Sequence, residues 1–196
     1  EYAGTFRAAD ANVPTGLYAL ANPNNNSIQL FNLDGSRPAV SSLTQIVNDI
    51  GFTPSGKYLY SVRTSSGGTA GSPATVTLSR IDPVTGTILN NMVLPETIPT
   101  LWNAYVNFYT ETDFYTTAFI GNNNDDRLYK YRLVDTNGNP DPLGTPVLDT
   151  GFGPVDNPGW MLISGQGGGN IWGGDSWTVD DTGNVYVTGY RALSGV

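Results

Sequence analysis

Asp135, Asn137, Asn139 and Asp141, in the run DTNGNPD, place a side-chain oxygen at every second position. A calcium-binding loop presents its first ligands with this alternation. The glycine such a loop uses at its sixth place is Pro140 here, and the bidentate glutamate due at the twelfth is Pro146. A hairpin turn built on Asn137-Gly138 accounts for the same residues. Calcium is the one cofactor the sequence offers, and a turn is the competing account.

Other carboxylates raise other chemistry. GNNNDDR, ending in Asp125, Asp126 and Arg127, could hold a cation or a sugar, or be a polar loop tip. Glycoside hydrolysis needs two carboxyls about 5–10 Å apart across the scissile bond. Asp113, Asp175, Asp180 and Asp181 are available, but nothing in their spacing sets two of them opposite each other. Asp180-Asp181 stands just before Gly183, which is turn chemistry. The chain has no histidine and no cysteine. Imidazole acid–base catalysis, Ser-His-Asp triads, thiolate nucleophiles, disulfides and the usual zinc sites therefore lose their residues. No enzyme is expected.

The aromatic residues are the remaining chemical resource. Trp102, Tyr105, Phe108, Tyr109, Trp160, Trp172 and Trp177 could stack on sugar rings or anchor a partner. Large rings also fill the space between sheets. A binding face drawn from Trp102, Tyr105, Trp160, Trp172 and Trp177 would make glycans a partner. Asn25-Asn26-Ser27 is a sequon that would place a glycan on Asn25 in a host with that machinery. Ser65 to Ala74 is a Ser/Gly-rich loop by composition.

These residues must be positioned by a β framework. Gly (24) and Pro (13) are abundant, and charged residues are only 13%. Aromatics at 11% argue against disorder. A chain of 196 residues can bury a sizeable core in one domain. The net charge of −8 leaves no basic patch for phosphates, so nucleic acid is excluded as a partner. No run of about 18 apolar residues predicts membrane insertion. Glu1 in place of an initiator Met suggests a processed or trimmed chain. The acidic, lysine-poor, Asn/Thr/Ser/Gly-rich composition points to an extracellular or cell-surface setting.

Strand alternation runs through the chain. Gly16 to Pro23, Asn26 to Leu33, Ile50 to Phe52 and Lys57 to Arg63 read as strands. So do the runs either side of Asp82-Pro83-Val84-Thr85-Gly86 and of Glu111-Thr112-Asp113, the run Asp126 to Val134, and Thr145 to Gly151. Turns with Gly or Pro separate them. Pro38 to Ile50 is the nearest thing to a helical pattern, and it is weak. Tyr18, Tyr60, Tyr115 and Tyr186 serve as landmarks of repeated second strands. Gly153 to Gly169 fills an overlong gap, as a loop or as degenerate strands. Successive four-stranded antiparallel meanders predict an all-β, propeller-like array, with the ring incomplete. Residues 16–196 form that domain and residues 1–15 an N-terminal arm.

VNDIGFTPSGKYLYSV followed by LSRIDPVTGTI resembles propeller repeats of the NHL and YVTN type. Together with GNIWGGDSWTVDDTGNVYVTG, these runs are similar to an uncharacterised propeller-like domain of large secreted and surface-exposed microbial proteins. The matching pieces are NIWG (Asn170 to Gly173) and the D-x-x-G-x-x-Y run from Asp180 through Gly183 to Tyr186. The resemblance implies a propeller fold and a surface-associated role, and implies no activity.

The last sheet reads as incomplete. Trp177 to Val179 and Asn184 to Arg191 make two strands, with Val185, Val187 and Tyr190 on an open edge. Tyr2 and Phe6, in the segment Glu1 to Asp10, could anchor a donor strand there. Donated to a neighbour, that strand gives a head-to-tail homopolymer, a filament or surface array. The expected function is thus structural or adhesive. A carbohydrate-binding module is the alternative, and a propeller hydrolase the third.

Overall fold

Thirteen of the fourteen strands belong to up-and-down meanders, because turn residues interrupt the alternating pattern every few positions. The computed structural model describes residues 16–21, 27–32, 39–42, 47–65, 74–82, 85–98, 103–119, 127–162 and 171–191. Every regular element among them is a strand, and all pairing is antiparallel.

The first sheet holds β1 (Gly16–Ala21), β2 (Ser27–Asn32) and β3 (Ala39–Ser42), in that order. The weak helical pattern over Pro38 to Ile50 is therefore overridden: Ala39–Ser42 pairs with β2. The second sheet is β4 (Asp49–Phe52), β5 (Leu59–Thr64), β6 (Ala74–Ile81) and β7 (Ile88–Ile98). The third is β8 (Asn103–Phe108), β9 (Asp113–Phe119), β10 (Arg127–Val134) and β11 (Thr145–Leu148). A short β12 (Trp160–Leu162) lies on the same edge of β10 as β11. The overlong gap thus continues the outer strand of this sheet after a looped excursion. The fourth sheet is β13 (Ile171–Val179) with β14 (Val185–Arg191).

The sheets stack through their first strands. β1 packs on β4, β4 and β5 pack on β8, and β8 packs on β13. Tyr18 lies in β1, the first strand of its sheet, while Tyr60, Tyr115 and Tyr186 lie in second strands. The fourth landmark was therefore out of step with the other three. An apolar run shared by first and second strands cannot say which of the two it is.

The main core fills the space between the second and third sheets. Tyr60, Val62, Leu78, Met92 and Leu94 from one side meet Val106, Phe108, Phe114, Tyr131 and Leu133 from the other. The rings form a chain: Tyr60 on Phe108 at 4.8 Å, Phe108 on Phe114 at 4.8 Å, Phe114 on Tyr131 at 5.3 Å. Such offset pairs add to the burial of their area. Val47, Leu59 and Ile81 form a second cluster on the opposite face of the second sheet.

Candidate functional site

The Asp135 loop spends its oxygens on the backbone. Asp135 Oδ1 accepts from the Asn137 and Asn139 amides at 2.8 and 2.9 Å, and Asp135 Oδ2 from Asn139 Nδ2 at 3.3 Å. The Asn139 carbonyl accepts from the Asp135 amide at 2.8 Å, closing the hairpin. Asp141 Oδ1 accepts from the Leu143 amide at 2.8 Å. The amide bond from Asn139 leads the contacts that hold the Asp135 carboxyl below its ordinary range. Among the described residues no three His, Cys, Asp or Glu side chains converge on a point that could hold a metal.

The fourth sheet repeats this device. Asp180 Oδ1 accepts from the Thr182 hydroxyl at 2.7 Å and from the Thr182 and Asn184 amides, both at 2.9 Å. Asp180 Oδ2 takes Asn184 Nδ2 at 2.9 Å and the Tyr186 hydroxyl at 3.2 Å. These bonds, Thr182 first, hold its carboxyl well below the usual range. Gly138 and Gly183 occupy the left-handed position of the two turns, at φ 83° and 87°. Asp113 is tied to Arg132 Nε at 2.6 Å and to the Thr110 hydroxyl at 2.8 Å. The candidate acids are thus structural wherever their side chains are described. Asp125, Asp126 and the side chain of Asp175 lie outside the described residues.

The aromatic candidates do not converge on an exposed face. Tyr105 is buried. Trp160 is half-buried, with the Arg127 guanidinium 4.1 Å from its ring centre and Tyr129 at 6.3 Å. Trp102, Asn25, Tyr2 and Phe6 lie outside the described residues, as do the side chains of Trp172, Trp177, Val187 and Tyr190. Val185 is half-buried in β14, paired with Val179.

What the structure does assemble is a set of junctions between neighbouring sheets. Asp49 Oδ2, on β4, accepts from the Val106 amide of β8 at 2.9 Å. Two residues on, a Cβ on Gly51 would stand 2.9 Å from the Val106 carbonyl oxygen. The two first strands meet backbone to backbone there, and burial raises the Asp49 carboxyl to about 7. Ser55, in the turn between β4 and β5, donates its amide and hydroxyl to Glu111 at 2.7 and 2.9 Å.

Tyrosines bind one sheet to the next. The first-to-second-strand turns close through Thr53 N–H to Tyr58 O, Tyr109 N–H to Asp113 O, and Asp180 N–H to Asn184 O. Two residues past each closing carbonyl stand Tyr60, Tyr115 and Tyr186. The Tyr60 hydroxyl donates to the Pro142 carbonyl in a turn of the third sheet. The Tyr115 hydroxyl donates to the Gly183 carbonyl in a turn of the fourth, at 3.1 Å. Burial pushes Tyr60 up to about 12. Sequence reasoning had the three tyrosines as markers and missed their hydroxyls, although their equal offset from each turn was visible. Asp49 carried no motif and was missed altogether.

The sequence matches no family model and no curated protein.

Proposed function

We propose that the chain is an extracellular structural or adhesive module of propeller-like architecture that assembles with copies of itself by strand addition. It acts as a scaffold and not as an enzyme. The row of first strands, β1 to β4 to β8 to β13, supports the propeller-like arrangement, since each sheet packs on the next in chain order.

The observation that carries assembly is the fourth sheet. Among the described residues β14 pairs with β13 alone, giving two strands where the second and third sheets have four or more. A two-stranded sheet is marginal alone, and its free edge is a template for another strand. An incoming segment would gain main-chain hydrogen bonds along Val185–Arg191. Residues 1–15 supply the donor, with Tyr2 and Phe6 as anchors, and a donor from a neighbouring copy gives a head-to-tail polymer. The acidic composition fits a surface or extracellular location.

The test is size in solution as a function of concentration, for the full chain and for a chain lacking residues 1–15. The full chain is expected to grow into assemblies and the truncated chain to remain small. A full chain that stays monomeric at high concentration refutes self-assembly. Assemblies unchanged by truncation refute the donor.

A further inference from the structure

Tyr60, Tyr115 and Tyr186 hold the same place in three successive sheets, but their surroundings differ. Tyr60 faces a complete third sheet and is 0% exposed; Tyr115 faces the two-stranded fourth and is 5% exposed; Tyr186 is 57% exposed. The first two hydroxyls each reach a turn carbonyl of the following sheet. The Tyr186 hydroxyl turns back to Asp180 Oδ2 within its own sheet. Among the described residues the packing of first strands runs from β1 to β13, with no comparable contact returning from β13 to β1.

We infer that Tyr186 is the docking residue for a further sheet, and that this sheet is the first sheet of a second copy of the chain. The second copy is the occupant because this junction already recurs within the molecule: a ring laid against the next sheet, with its hydroxyl on a turn carbonyl. The first sheet begins the row and the fourth ends it, so copies placed end to end continue one repeat without a new kind of contact. The net charge of −8 opposes close approach of copies, whereas β14 from Val185 to Tyr190 carries no charged side chain. This inference rests on the self-assembly proposed above. It places the contact on a sheet face, whereas the donor strand occupies the β14 edge.

The experiment is tyrosine modification with tetranitromethane on the full chain over a wide concentration range, read by peptide mass at Tyr186, with Tyr60 and Tyr115 as buried internal references. Size is measured on the same samples, together with Tyr186→Asp and Tyr186→Phe. The expected result is nitration of Tyr186 at low concentration and at least fivefold protection where the chain assembles. Tyr186→Asp should require at least tenfold higher concentration to assemble, with an unchanged circular dichroism spectrum, and Tyr186→Phe should fall between it and the parent. Protection at every concentration in a monomer would mean that a sheet of the same chain covers Tyr186, and would overturn the inference. Assembly with Tyr186 still fully reactive would overturn it and leave self-assembly standing. A monomer with reactive Tyr186 at all concentrations would end both.

Discussion

Asp180 and Asp135 accept the same set of bonds in two turns of different sheets, four residues from an asparagine that returns a side-chain amide. The alternating oxygens that suggest calcium are the oxygens a five-residue Asx turn needs, so spacing alone does not separate them. The Pro140 and Pro146 departures were the legible sign. A chelator is expected to leave the melting temperature unchanged, because a carboxylate already saturated by amides gains little from a cation. A clear fall on chelation would mean a bound ion stabilises the native state. Asp49 had no such sign, since only the approach of β8 buries it. Its carboxyl is raised to about 7 in the folded chain from an ordinary value of 3.8. The native state therefore holds a proton that the unfolded chain has released between those values, and stability falls as pH rises through that window. The ceiling is about 4 kcal/mol, and solvent reaching the half-buried residue trims it to roughly 1–2 kcal/mol. Asp49→Asn keeps an oxygen for the Val106 amide. It should match the parent near pH 4 and melt higher at pH 8. Parallel melting curves across that range would rule this out.

Turns and strand order follow from residue type, and most were legible. Gly56, Gly86, Gly138 and Gly183 all take positive φ where Gly-bearing turns were expected. Which strand is first in a sheet was not legible, because β1 and β5 carry similar apolar runs and only packing on β4 or β8 tells them apart. The exposed side chains of the outer strands have the same non-local origin. On β7, Met92 and Leu94 are buried while Leu89 and Val93 are exposed. Met92 and Leu94 belong to the core shared with the third sheet, and the other face lies toward the shorter first sheet. Val147 on β11 and Met161 on β12 are exposed in the same way, on the face toward the two-stranded fourth sheet. Two glycine substitutions test the element contacts. Gly51→Ala pushes a methyl to 2.9 Å from the Val106 carbonyl oxygen, where backbone and not a flexible side chain must give way. A loss of about 1–3 kcal/mol in denaturant unfolding is expected. Gly138→Ala meets no atom within 4 Å and suffers only the strain of φ +83°, whereas Gly183→Ala at φ +87° also meets the Tyr109 ring at 3.2 Å. Gly183→Ala should therefore cost more than the roughly 1 kcal/mol of Gly138→Ala. Equal losses would mean that the Asp180 turn does not bear on Tyr109.

At the scale of the molecule, an open row of sheets in an acidic chain sets two forces against each other. Bare faces and edges favour association, because apolar area leaves water and unpaired main-chain groups find partners. A net charge of −8 on every copy opposes it. Screening acts on the second force and hardly on the first. The Debye length shrinks from about 30 Å at 0.01 M salt to about 8 Å at 0.15 M, which is shorter than the spacing of most exposed charges on facing copies. Association of the full chain should therefore strengthen as simple salt is raised over that range, with the concentration for half-assembly falling several-fold. It should also strengthen as pH is lowered toward the carboxylate range, where the repelling charge is neutralised and protonated Asp49 no longer opposes folding. Sedimentation velocity at fixed protein concentration across a salt series measures this directly. Association that weakens with salt would show that opposite charges, such as Arg132 or Lys130 meeting acids of the neighbour, hold the contact. The uncharged surface around Tyr186 and β14 would then not be where the copies meet.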